Sequence, residues 1–242
     1  MGTDNLFNKR RIERKNRSEN VRKLKSSNWL IICEGTKTEV NYFSEAIKNI
    51  NKNIDNNYKL KVKIIGKGRN TLSLVNSVDS LLNNIDKHRN STIPYGKVFV
   101  VFDKDDFKSD IFDKSIDICE NKGYIPLWSN QAFEFWILLH FNYIEGKINR
   151  SDYEQKINEY FKKAGLNYKY SKNDETIYSK LTKYGSLELA KKHATKIHKK
   201  FINELPSKSE CCTTVYKFFE EVDNRLKEIK RIRFVNVSFY LE

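Results

Sequence analysis

Glycine and proline are scarce in this chain, nine and three among 242 residues. That excludes Gly-rich linkers and Pro-rich extensions and leads us to expect long regular elements. Cysteine is as sparse. Cys33, Cys119, Cys211 and Cys212 show no C-x-x-C spacing, and His88, His140, His193 and His198 are not clustered with them, so a zinc site is not expected. Cys33 closes an apolar run, and the thiols are expected to be reduced and structural. No run approaches the ~18 apolar residues of a membrane span. The opening MGTDNLFNKRRIER lacks the apolar stretch of a secretory signal, so a cytoplasmic location is expected. Two catalytic signatures are missing too. Gly66-Lys67-Gly68 does not match G-x-x-x-x-G-K-[ST] and no other segment does, so energy coupling would need a partner. Neither a G-x-S-x-G elbow nor a Cys-His arrangement supports covalent acyl chemistry.

What the chain has in quantity is positive charge and aromatic surface. Lysine and arginine number 45 against 31 acids, giving +14, while 15 Phe and 13 Tyr within 39% hydrophobic residues imply a folded core. The charge favours an anionic partner, with nucleic acid first; the alternative is a lysine-rich composition that solvates helix faces. Residues 9–25 carry nine basic residues against two acids without an apolar stripe. We read residues 1–25 as a basic arm that touches phosphates or a protein partner, or is a solvated terminus.

Hydrophobic patterning gives the order of elements. Asn28 to Cys33 reads as a strand, ending at Glu34-Gly35 before a helix over 37–50. Leu60 to Ile65 repeats the unit, followed by a loop and a helix from Leu72. Lys97 to Phe102 is almost continuously apolar, as in a strand covered on both faces, and runs into Asp103-Lys104-Asp105-Asp106. A helix over 109–121 stops at Gly123, and Tyr124 to Trp128 makes a fourth strand. Beyond it we expect helices over 130–142, 151–164, 174–183, 186–203 and 211–229, then an edge strand from Arg233 to Tyr240. The alternation predicts an α/β fold, a mostly parallel Rossmann-like sheet flanked by helices, over 26–142. A mainly helical C-terminal region, 143–242, would pack on it.

In such sheets ligands gather at the carboxyl ends of strands, where Glu34 and the Asp103–Asp106 cluster fall. Hard divalent cations prefer carboxylate oxygens, and alternate residues of an extended Asp-x-Asp point the same way, so Asp103 and Asp105 would share one cation or flank two. A lone Asp-x-Asp is weak, because loops after strands use Asp in turns; Glu34 at a neighbouring strand end strengthens it. Glu34 is also placed to meet a helix N-terminus. Glu134, amid Phe133, Phe135 and Trp136, is either near this site or exposed on one side. Lys37, Lys67, Arg69 and Lys104, on loops at the same sheet end, would neutralise phosphate oxygens or serve as ordinary surface charges. Tyr168, Tyr170, Tyr178 and Tyr184 would pack in the core or stack on bases.

Glu34-Gly35-Thr36-Lys37-Thr38-Glu39-x-Asn41-Tyr42-Phe43 resembles the opening motif of the RloB family. So do Asp103-x-Asp105 after an apolar strand, Ser129-Asn130-x-x-Phe133-Glu134-x-Trp136-x-Leu138-Leu139-His140-Phe141, and Thr213-Thr214-Val215-Tyr216. The resemblance runs from residue 26 to 228. It implies a Toprim-like fold, as in topoisomerases, primases and OLD nucleases. It further implies a nuclease whose Glu34, Asp103 and Asp105 bind Mg²⁺ or Mn²⁺, with Glu39 and Glu134 as additional acids. A nearby AAA- or ABC-type ATPase partner and a role in phage defence by abortive infection, of the AbiL type, follow from the same resemblance; an oligomer is compatible with it. Two rivals stay open: a scaffold that binds nucleic acid or the ATPase without cutting, and a phosphatase or nucleotidyl-transfer enzyme acting on a small phosphate substrate.

Overall fold

The computed structural model describes residues 9–16, 27–68, 70–88, 95–105 and 108–238. Within the basic arm, residues 9–16 form a short helix, α1, with every side chain exposed; the rest of the arm, like Arg69, Asp106 and residues 239–240, lies outside the described residues.

The strand-helix units fold as their patterns require: β1 (Asn28–Cys33), α2 (Thr38–Lys52), β2 (Lys61–Gly66), α3 (Thr71–His88), β3 (Lys97–Asp103), α4 (Ser109–Asn121) and β4 (Ile125–Asn130). Local chemistry sets their ends. Asn70 Oδ1 accepts the Ser73 N–H at 3.0 Å and caps α3. Gly123, at φ 71°, takes the left-handed turn that stops α4. The sheet order is β2-β1-β3-β4-β5, with β1 to β4 parallel. From β1 the chain crosses to β2 on one side and then returns to place β3 on the other. The gap between the ends of β1 and β3 is therefore the switch point at which such sheets open a crevice.

Both sheet faces are covered, which is why β3 reads as continuously apolar. Phe99 packs on Phe218 at 5.4 Å between ring centroids, while Phe102, on the opposite face, meets Phe112 of α4 at 5.7 Å. Phe218 also packs on Trp29 and Phe43. Of these six side chains all but Trp29, at 1%, are wholly buried. At about 1.5–3 kcal/mol for each such side chain, this aromatic core holds the strand ends rigid. The Cys33, Cys119, Cys211 and Cys212 thiols are free and buried. Burial pushes Cys119 and Cys212 up to about 12, so neither is a thiolate near neutrality.

The C-terminal region departs from its pattern at three places. The expected helix 130–142 shortens to α5 (Glu134–Leu139), because β4 continues to Asn130. The expected helix 211–229 begins only at Tyr216: Cys212–Thr213 form β5, antiparallel to Ser129 and Asn130. Threonine hydroxyls explain the pairing. Thr214 Oγ1 accepts the Trp128 N–H at 2.9 Å, and the Ser129 and Thr213 hydroxyls bond to each other at 2.9 Å, so the Thr-Thr pair closes the edge of β4. Finally, the expected edge strand from 233 is a continuation of α9 (Tyr216–Ser238). Alternating valines do not outweigh a helix already nucleated and free of Gly and Pro through that stretch. α6 (Tyr153–Lys163) and α8 (Leu187–Lys200) pack on α5, and α7 (Ile177–Tyr184) packs on α2. Among the described residues no helix is long and apolar enough to cross a membrane.

Candidate active site

A cavity of 280 Å³, partly open, lies at the switch point, lined by Glu34, Glu39, Asp103, Asp105, Glu134, Lys37, Arg150 and Lys172 among others. Glu34 follows β1 and donates its backbone N–H to Val101 O at 2.9 Å, which keeps it in register with β3. Its Oε2 accepts from the Asp103 backbone N–H at 3.3 Å and from the Thr71 hydroxyl at 3.1 Å. Residues 69 positions apart therefore meet directly. The Asp103 Oδ2 accepts the Phe133 N–H at 3.1 Å, while its Oδ1 is buried with no hydrogen-bond partner.

Asp105 reaches the cavity by a different route from the one its spacing suggests. β3 ends at Asp103, and Asp105 has φ 44°, a left-handed conformation that Asp tolerates better than most residues. Backbone bonds from Lys104 N to Ser129 O (2.9 Å) and from Asp105 N to Gln131 O (3.1 Å) fold this turn onto the end of β4. The expectation of two carboxylates on one face of an extended strand is thus corrected: a turn, not the pleat, brings Asp105 in.

Glu39 and Glu134 complete the acidic lining. The Glu39 carboxylate folds back on the backbone N–H of Gly35. A Cβ at Gly35 would stand 2.2 Å from Glu39 Oε2. Gly35→Ala is expected to displace that carboxylate while the fold survives. A crystal structure and a melting curve of the variant check this; a Glu39 carboxylate left in place would overturn it. Glu134, at the start of α5, is buried and accepts the Tyr170 hydroxyl at 3.1 Å and pairs with Lys172 at 3.2 Å. Asp105 pairs with Arg150.

Electrostatics makes this lining costly. Burial raises Glu34 to about 7, opposed by the Asp103 N–H and the Thr71 hydroxyl. Asp103 is raised well above the carboxylate range, first by burial and then by Glu39, Glu134 and Asp105. Glu39 is raised by burial and by Glu134, with Lys172 pulling the other way. Like charges packed out of water take up protons or a cation.

The donor set, all carboxylate oxygen, suits Mg²⁺ or Mn²⁺, and the bare Oδ1 of Asp103 is a buried acceptor awaiting a partner. The residues fit a hard cation chemically. Among the described residues, however, no three His, Cys, Asp or Glu side chains stand together closely enough to hold an ion as they are, so side chains must turn for one to bind.

Of the four basic residues expected at this sheet end, Lys37 lines the cavity. Lys67 and Lys104 stand outside the lining, and Arg69 lies beyond the described residues. Periodicity gave no sign of Thr71, Arg150 or Lys172, and Tyr170, expected in the core or stacked on bases, donates its hydroxyl to Glu134. His140, inside the third motif, is a core group: burial drops it to about 4, and its Nδ1 faces Trp136 O at 3.0 Å. Tyr170 and Tyr178 are likewise buried.

A mostly parallel five-stranded sheet of this order, flanked by helices and with acids from β1 and β3 meeting at the switch point, is an α/β fold consistent with the Rossmann-like, Toprim-like class. The chain belongs to the RloB-like protein family, whose model matches residues 29–222. That span takes in β1 to the middle of α9, and with it each acid of the cavity. Comparison with curated proteins and with solved structures returns no match.

Proposed function

We propose that this protein is a Mg²⁺- or Mn²⁺-dependent nuclease that hydrolyses phosphodiester bonds in nucleic acid, as the effector of an ATPase-linked phage-defence system. The observation that carries this reading is the contact of Glu34 with the end of β3, beside the unpartnered Oδ1 of Asp103. Glu34, Asp103 and Asp105 would hold the cation, with Glu39 and Glu134 beside them. When bound, the cation polarises the scissile phosphate and lowers the pKa of an attacking water.

The chain's own residues do the rest. Thr71 and the Asp103 N–H fix the Glu34 carboxylate, which burial raises to about 7 in the absence of a cation and which a bound cation would hold ionised. Lys37, exposed at the rim, offers a charge to a phosphate oxygen. The cavity is only 280 Å³, so a polymer would run across the surface, where a net +14 favours it. With no P-loop in the sequence, nucleotide-driven steps fall to the ATPase partner that the resemblance implies.

Purified protein, alone and with the ATPase encoded beside it, should cleave duplex DNA, single strands or tRNA in Mn²⁺ but not in EDTA. Glu34→Ala should lower that cleavage by at least ~100-fold. Cleavage in EDTA, or by the Glu34→Ala protein at the wild-type rate, would end the proposal. A second reading, a binding scaffold that does not cut, is favoured by the pairing of Asp105 and Glu134 with protein cations. It predicts metal-independent binding and no product in the same assay.

A further inference from the structure

Two cations absent from the strand-end motifs enter the crevice from the C-terminal half. Arg150 sits in a 3-10 turn, Arg150–Asp152, and meets Asp105; Lys172 lies in the stretch between α6 and α7 and meets Glu134. The acids lie inside, at 25% and 7% side-chain exposure, whereas Arg150 and Lys172 keep 51% and 61%. The charged heads therefore stand at the mouth of the cavity. A guanidinium has five N–H donors and an ammonium three, so one carboxylate apiece leaves most of them able to turn toward a ligand.

Both segments are anchored independently of these ion pairs. The Thr38 hydroxyl donates to Lys172 O at 3.3 Å, and the Tyr170 N–H donates to Asn158 Oδ1 at 2.6 Å. The turn of Arg150, closed by the Asp152 N–H bond to Asn149 O at 2.9 Å, is flanked by the buried side chains of Ile148 and Tyr153. Moving either charged head thus needs side-chain rotation only. The charge balance supports such a move. Five acids (Glu34, Glu39, Asp103, Asp105, Glu134) face three cations (Lys37, Arg150, Lys172) in the lining, a formal 3 − 5 = −2 when all are ionised. One divalent cation cancels that excess with Arg150 and Lys172 still in the lining, so a phosphate that takes up their remaining N–H donors meets a neutral crevice rather than an anionic one.

We propose that Arg150 and Lys172 form the phosphate clamp of this site: they pair with Asp105 and Glu134 at rest and turn their remaining N–H donors to the non-bridging oxygens of a nucleic-acid phosphate once a divalent cation has cancelled the excess negative charge of the crevice. The inference rests on the nuclease reading above. Arg150, with its planar fork, would grip two oxygens and set the orientation of the phosphate; Lys172 would add a point charge. The C-terminal region thereby becomes part of the substrate site.

The test uses full-length Arg150→Gln, Lys172→Gln and the double variant, with Arg150→Lys as the conservative control. Mn²⁺ affinity is read from the paramagnetic signal of free Mn²⁺. Oligonucleotide affinity is read by fluorescence anisotropy in Ca²⁺ over a KCl series, for single-stranded and duplex probes. Each Gln substitution should weaken oligonucleotide binding by about tenfold and lower the salt slope by about one, while Mn²⁺ binds as tightly as to wild type or more so. Arg150→Lys keeps the charge and the fold, and should retain the slope but lose affinity. Wild-type affinity and slope in the double variant would overturn the clamp alone. A joint loss of Mn²⁺ and oligonucleotide binding would overturn it too, by making the two residues structural. Wild-type protein that binds neither Mn²⁺ nor any oligonucleotide would instead overturn the nuclease reading.

Discussion

Replacing Asp103 by Asn is expected to make the metal-free protein more stable while abolishing Mn²⁺-dependent cleavage. The carboxamide oxygen can keep the Phe133 N–H bond that Oδ2 accepts at 3.1 Å, so the end of β3 stays in place. What disappears is a carboxylate raised by burial and by the charges of Glu39, Glu134 and Asp105, and the amide NH₂ that replaces the unbonded Oδ1 offers donors to those acids. An unmatched buried polar group costs about 1–3 kcal/mol, and in a chain of this size each kcal/mol moves the melting temperature by roughly 2–4 °C. Melting in EDTA at mildly alkaline pH should therefore rise by several degrees. Cleavage should fall by about 1,000-fold or more, some 4 kcal/mol of lost transition-state stabilisation. The opposite signs are the diagnostic feature, since a merely structural Asp would lose stability along with activity. Cleavage persisting in this variant would place the chemistry elsewhere.

The site was legible in the sequence to the extent that its chemistry sits at strand ends. An apolar run followed by an acid marks where a parallel strand leaves the sheet, and the registers of β1 and β3 turn that local signal into a contact between Glu34 and Asp103. Period and composition describe neighbours along the chain, so whatever arrives from far away was silent. Arg150 and Lys172 look like any other surface cation of a basic protein until the fold brings Arg150 to Asp105 and holds the stretch carrying Lys172 against α2 beside Glu134. Thr71 reads as an ordinary helix start. β5 is two residues long, too short for alternation to register, and its pairing depends on hydroxyls of Thr213 and Thr214 finding β4. The Asp-x-Asp motif was informative for a reason other than its spacing: the left-handed turn at Asp105, not strand pleat, carries the second carboxylate to the crevice.

Glu34→Gln should show how the acids and the cation trade places. In EDTA the variant is expected to melt above the wild type, by a margin that widens as pH rises from about 5 to about 7. The sign follows from the raised pKa. Below the ordinary value of 4.5 the carboxyl is protonated in both states and its stabilising contribution is fully present. Between 4.5 and about 7 the unfolded chain releases the proton while the folded chain retains it, so stability is lost as pH rises, and the loss is complete above about 7. His140 and His198, both lowered to about 4 chiefly by burial, push the other way. Each is neutral when folded and protonates more readily when unfolded, so the wild-type curve alone would mix the two effects. Taking the difference between variant and wild type removes both histidines, because the glutamine keeps the acceptor for Thr71 and the Asp103 N–H and leaves the distant core intact. Adding Mn²⁺ should then reverse the order. A ligand at about 100 times its dissociation constant stabilises the folded state by about 2.7 kcal/mol. Protons compete for the same oxygens, so the reversal should be larger near pH 8 than near pH 6. Differential scanning fluorimetry across that range is sufficient. A wild type that outlasts the variant in EDTA would mean that Arg150, Lys172 and Lys37 already neutralise the crevice, leaving no electrostatic demand for a divalent ion.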